Sequence, residues 1–229
     1  MKNDVLLIPL VGPMQSWGTR SRFQERDTER EPSKSGIIGL LCAAMGRDRS
    51  APIDDLTVLK MAVRVDREGY LRRDFQTALN VITADGKVSK DVQVSRRFYL
   101  SDAAFLVGLA GDGSVLCGIH NALANPVWPL FLGRKSYVPS LPLYLKTGIF
   151  RGTSLRETLL TYPLLCEPKK QNCIRIIYES STMTHESRMD IPISFALGRR
   201  EFRERFIRTE FISTEYFSFK EDKNVSLTT

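Results

Sequence analysis

Residues 32–46 read "PSKSGIIGLLCAAMG", and the fold turns on how they are taken. Ile37, Leu40, Leu41 and Ala44 recur at the spacing of one helix face. Pro32 and Ser33 stand where a helix start expects them, and Gly46 where a stop expects it. The pattern predicts a helix over about 34–46. Gly36 and Gly39 lie one turn apart and let that helix pack closely on the sheet. Upstream, residues 4–11, "DVLLIPLV", form a short aliphatic run closed by Gly12-Pro13. Such a run predicts a strand buried on both faces, with Pro9 marking an edge or a bulge. Residues 19–32 carry nearly cancelling charges and read as a solvated loop.

Downstream of the helix, "DDLTVLKM" reads as a short helical turn. "AVRVDREGYLRRDF" alternates on both sides of Glu68-Gly69 and predicts a hairpin. Residues 76–97 lack a steady apolar period and contain an Asp-Gly turn at 85–86; they fit a projecting hairpin or a disordered loop. "FYLSDAAFLVGLAG" predicts one buried strand, and "SVLCGIHNALANP" a strand start passing into a helix stopped at Asn125-Pro126. "GTSLRETLLTYP" has Ser154 and Glu157 in capping-box spacing and a closing Pro163, hence a helix. "CIRIIYES" is a strand, and the tail beyond about residue 219 reads as frayed. The order of elements is that of an α+β sandwich compatible with a ferredoxin-like unit. With no linker and no internal repeat, residues 1–229 read as one decorated domain.

Composition narrows the function. The chain has 229 residues, a 42% hydrophobic fraction and a formal charge of +7. That charge favours a polyanionic partner. No apolar run reaches the ~18 residues of a membrane span, and the N-terminus has no signal-peptide pattern, so a cytoplasmic protein is expected. The four cysteines, Cys42, Cys117, Cys166 and Cys173, form no C-x-x-C pair, and the two histidines are His120 and His185. A zinc framework or a disulfide scaffold is not expected, nor any cofactor. "GLAGDG" at 108–113 lacks dinucleotide-binding spacing, and no Walker pattern occurs. Paired carboxylates are absent apart from surface-type runs such as Asp54-Asp55.

Anion binding is the better signal. Ser33, Lys34 and Ser35 stand at the predicted start of an apolar helix, where free N–H groups and the helix dipole suit a phosphate. Capping alone would also explain Ser33. In "FLGRKSYVP", Gly133 permits close backbone approach, Arg134 and Lys135 can neutralise phosphates, and Tyr137 can stack on a base. Five arginines at 199, 200, 203, 205 and 208 are interleaved with Phe202 and Phe206, and a solvated face competes with a binding face there. In "GPMQSWG", Met14, Gln15 and Trp17 follow the first strand. The indole either stacks on a base or wedges beneath the loop.

"LVGPMQSWG", "PSKSGIIGLL", "RRFYLSDAAFLVGL" and "PLFLGRKSYVP" occur in this order over about residues 4–145. Together they resemble the CasD family of CRISPR-associated proteins, subunits of the type I-E Cascade. The resemblance implies a RAMP-type fold: a ferredoxin-like, RNA-recognition-like core with a β-hairpin thumb at 76–97. It implies a non-catalytic, crRNA-binding subunit that clamps the 5′ handle of the guide and caps the filament. Partners would be the filament subunit, the large subunit and, through the assembled complex, target DNA. RNA would lie near Met14, Gln15, Trp17, Ser33, Lys34, Ser35, Arg134 and Lys135. Relatives in type I-C systems cut precursor RNA without metal, so an endoribonuclease using His120 with Tyr99 or Lys90 is the alternative.

Overall fold

The computed structural model describes residues 3–19, 24–83, 85–89, 91–167, 172–183 and 186–217. The expected frayed tail, His185 and Lys90 lie outside these residues. Strand β1 (Asn3–Val11) is buried on both sides, as its unbroken aliphatic run predicts. Leu6, Ile8 and Leu10 enter one apolar cluster, Val5 and Leu7 a second across the sheet. Pro9 is tolerated because Leu7 donates its N–H to Gly148 as the neighbouring strand ends. Two residues on, the same side needs no donor.

Helix α1 (Lys34–Met45) is capped by the Ser33 hydroxyl, which accepts from the Gly36 N–H, and ends at Gly46 in the left-handed region. Its apolar residues enter the first cluster with those of α3 (Gly113–Ala124). A short helix α2 (Asp54–Thr57) leads into β4 (Lys60–Arg67), followed by β5 (Tyr70–Ala78), β6 (Gln93–Ser101) and β7 (Ala104–Gly111). Then come β8 (Ile149–Thr153), α4 (Leu155–Thr161), β9 (Cys173–Glu179), β10 (Ser187–Ser194) and β11 (Glu201–Ser213). The main sheet runs β10-β11-β9-β4-β7-β1-β8, with antiparallel neighbours throughout. Helices α1 and α3 cover one face, and α4 packs Leu159 and Leu160 into the cluster on the other.

Arg64, fully buried on β4, explains how α4 ends. It pairs with Asp66 and donates to the carbonyls of Leu159, Tyr162 and Pro163. The final carbonyls of a helix lack intrahelical donors, and here a charged side chain supplies them.

Three expectations are corrected. β4 and β5 do not form a hairpin: β4 pairs with β7 and β9, and β5 pairs with β6 in a separate sheet. Six of the eight β4 side chains are buried, so its alternation does not mark a solvent face. "FYLSDAAFLVGLAG" is two strands, because Asp102 takes a positive φ of 57° and breaks β6 from β7. "SVLCGIHNALA" is helical throughout. Asp112 caps it by accepting from the Ser114 and Val115 N–H groups, which stops the strand before Ser114.

The smaller sheet is built on β5 and β6, paired from Tyr70–Ser101 to Ala78–Gln93. An isolated Ile82–Val88 bridge continues the hairpin outward. Two short strands, β2 (Met14–Gln15) and β3 (Glu25–Arg26), line the other side of β6.

Candidate nucleic-acid interface

The loop after β1 is fixed from below. Gln15 is fully buried; its amide donates to the carbonyls of Leu10 (3.0 Å) and Ala103 (2.9 Å). Its carbonyl accepts from the Trp17 indole N–H at 3.2 Å. Trp17 is 1% exposed and belongs to the core cluster. The indole lies so close to Gly36 that a Cβ there would meet ring carbon Cε3 at 2.8 Å. The glycine one turn into α1 therefore makes room for the tryptophan. Of the two roles open to Trp17, the chain uses the wedge, and base stacking is corrected: the ring has no solvent-facing surface. Met14 is half-buried and pairs with Ser101.

At the start of α1 the physics holds but the anion differs. The Lys34 N–H donates to Asp190 Oδ2 at 2.8 Å. Asp190, on β10, also accepts two bonds from Arg205 of β11, at 2.8 and 2.7 Å. The helix N-terminus thus holds an internal carboxylate in the place expected for a phosphate. Lys34 Nζ turns inward, donating to Glu179 (2.7 Å) and to the Leu59 carbonyl (2.8 Å). Burial pulls the Lys34 ammonium below its ordinary pKa, with Glu179 opposing. Burial also works against the Arg205 charge, but Asp190 and Glu179 hold its pKa above the usual value. Lys34 is 3% exposed and Ser33 is spent on capping, so direct phosphate contact by either side chain is corrected. Ser35 is half-buried.

The loop at 131–137 lies across the loop after β1. Ser16 donates its N–H to the Leu132 carbonyl at 3.0 Å. Gly133 has φ +93°, and a Cβ there would fall 1.7 Å from the Ser16 carbonyl oxygen. The close approach read from Gly133 is made to the protein's own backbone. Arg134 closes the arrangement. It donates to the Tyr137 hydroxyl (2.8 Å), the Phe98 carbonyl (2.9 Å) and the Arg26 carbonyl (3.3 Å), and lies over the Tyr137 ring. Burial pushes the Tyr137 phenol up, with Arg134 partly opposing. Lys135 is exposed beside it.

Tyr137 in turn meets Tyr99 of β6, with ring centroids 5.9 Å apart. That contact joins the basic loop to one face of the β5–β6 hairpin. Cross-strand pairing puts Tyr70, Arg72, Asp74 and Gln76 on the same face as Tyr99, Arg97 and Ser95. Arg72 lies over the Tyr70 ring, and Arg97 bonds the Ser95 hydroxyl. The opposite face carries exposed Leu71, Arg73, Phe75 and Arg96. The polar face was missed in the sequence, although the alternation through Tyr70, Arg72 and Asp74 was visible; the partner strand that turns alternation into a surface was not. His120 sits elsewhere, bonded to the Leu145 carbonyl at 2.8 Å and against Tyr144, whereas Tyr99 engages Tyr137. No group of three or more metal-ligating side chains occurs among the described residues. None of their helices is long and apolar enough to cross a membrane.

A family model described as CRISPR-associated protein (Cas_Cas5) matches residues 5–208. The chain belongs to the Cas5 family. Within it, the chain is 32% identical over 174 residues to the CRISPR system Cascade subunit CasD of Escherichia coli (strain K12), covering 69% of this chain and 76% of that protein. A solved Cas protein shares 44% identity with a TM-score of 0.75, covering 93% of this chain and 97% of that one. A chain of a CRISPR RNA-guided surveillance complex shares 34% identity with a TM-score of 0.77, covering 95% of both. The Cas5 match spans both faces of the β5–β6 hairpin and the loop at 131–137.

Proposed function

We propose that this chain is the crRNA-binding subunit of a type I-E Cascade complex, holding the 5′ handle of the guide and capping one end of the filament without cutting RNA. The observation that carries the reading is the full-length similarity to a chain of an RNA-guided surveillance complex. The relationship to CasD, itself a Cascade subunit, supports it. The order β4-β7-β1-β8, connected as β1–α1–β4 and β7–α3–β8, supports a ferredoxin-like core. The β5–β6 hairpin is then the thumb, wider than 76–97, and residues 1–229 form one RAMP-type domain.

The guide lies on the polar face of the thumb and the loop it meets. Arg134, Lys135, Arg72 and Arg97 face phosphates, Tyr70 and Tyr99 face bases, and Met14 and Ser35 border the path. Gln15, Trp17, Ser33 and Lys34 act by holding the loops in place. Leu71 and Phe75, on the other face, meet the neighbouring filament subunit. The test is binding of a crRNA with its 5′ handle, alone and in the assembled complex, with a chelator present. Handle-dependent binding without cleavage supports the reading. Specific cleavage lost in His120→Ala would make the chain an endoribonuclease, and absence of RNA from the complex would refute both.

A further inference from the structure

The arginine- and phenylalanine-rich run at 199–208 is not used by the RNA path. It forms β11 and the turn before it, and β11 pairs with edge strand β10. Arg205 turns inward to Asp190, whereas Arg199, Arg200, Arg203 and Arg208 stay exposed. Phe202, Glu204 and Phe206 alternate onto one side of β11, and Met189 stands opposite Glu204. Arg200 lies over the half-buried Phe202 ring. Met189 and Ile193 are more than half exposed, and Leu197, at the turn, is 94% exposed.

We propose that the outer face and tip of the β10–β11 hairpin dock a second protein subunit of the complex, one presenting an apolar centre within an acidic rim. Three observations select this occupant. Aliphatic side chains such as Leu197, Met189 and Ile193 gain by burial against apolar atoms, which a phosphate backbone does not offer. The basic side chains of residues 187–217 are all arginine, and arginine with aromatics and methionine is the composition of protein interfaces, in which lysine is depleted. Among residues 195–208, four exposed arginines face two glutamates, Glu201 and Glu204, so the complementary surface is acidic. Addition of a strand to the β10 edge is blocked: the register slips between Met189 and Ile191 and between Pro192 and Ser194, and Pro192 lacks a donor. The partner therefore reads the side-chain face and the tip.

This inference rests on the chain being a Cascade subunit, and the experiment separates the two. The full chain is co-expressed with the other subunits and guide RNA, and native mass spectrometry counts each component. Two variants are compared with the parent, Leu197→Asp with Met189→Asp, and Arg199→Glu with Arg200→Glu. All four positions are exposed, and circular dichroism of each free variant checks that it folds. The expected result is guide RNA retained and one protein subunit reduced at least tenfold in both variants. Wild-type stoichiometry in both would overturn the proposal. Loss of RNA with every protein subunit retained would overturn it too, making the face a nucleic-acid surface. A parent complex without RNA would instead refute the RNA-binding reading, whatever the variants do.

Discussion

Asp190→Ala tests the claim that the start of α1 is filled by an internal carboxylate. The side chains of Asp190 and Arg205 are 1% and 6% exposed, so solvent screens their pairing little. The substitution removes two bonds from Arg205 and one from the Lys34 N–H. Taking one partner from a buried ion pair costs about 3–5 kcal/mol, because the other charge stays buried. Glu179, 3.8 Å from Arg205, takes up part of that charge and favours the lower end. At about 2–4 °C per kcal/mol for a chain of this size, thermal melting should fall by about 6–20 °C. The void has the shape of a carboxylate, so formate should enter it. At tenfold over its dissociation constant, formate would restore about 1.4 kcal/mol, and chloride at equal ionic strength would not. Melting is followed by circular dichroism for the parent and the variant in both salts. A loss below about 1 kcal/mol, or equal effects of formate on both proteins, would refute the internal-anion account.

Further perturbations separate other parts of the site. Gly133→Ala should cost well over the ~1–2 kcal/mol of a left-handed backbone, because its Cβ meets the Ser16 carbonyl. Gly86→Ala, also at positive φ but with open space around its Cβ, should cost only that strain, and equal losses in denaturant melts would remove the argument. Burial raises the pKa of both Tyr137 and Tyr178. Each therefore contributes stability that is fully present below about pH 10 and is lost as pH rises through the folded-state value. The double Phe variant should flatten the decline between pH 10 and 11, and an unchanged slope counts against it. Arg72→Ala and Lys135→Ala should each lower the salt dependence of guide binding by about one phosphate contact. Lys34→Ala should lower stability and leave that slope unchanged, and the reverse pattern would put Lys34 on the RNA.

Much of the fold was legible because its signals are local. Ser33 and Gly46 bracket α1 as the spacing of Ile37, Leu40 and Leu41 predicts, and Ser154 with Pro163 brackets α4. What failed depended on pairing partners. The alternation about Gly69 looked like a hairpin, but the chain there leaves one sheet for another. β10 went unread because Asp190, a buried charge in mid-strand, looks polar until Arg205 and the end of α1 are brought to it. The same blindness shaped the site. A lysine at a helix start suggests an external phosphate, and only tertiary structure supplies Glu179 and Asp190. The family resemblance put the loop after β1 and the loop at 131–137 on one RNA path, and Gly133 before two cations signalled a close approach there. It could not say that the approach is to Ser16.

The proposed path of the guide RNA crosses the polar face of the β5–β6 hairpin and the loop at 131–137. Photo-crosslinking of a guide carrying 4-thiouridine in its 5′ handle, within the assembled complex, maps that path. Crosslinked peptides are expected to contain Tyr70–Arg72, Arg97–Tyr99 and Arg134–Tyr137, with none from β10–β11. Crosslinks confined to β10–β11, with none on the β5–β6 hairpin or at 131–137, would refute that path.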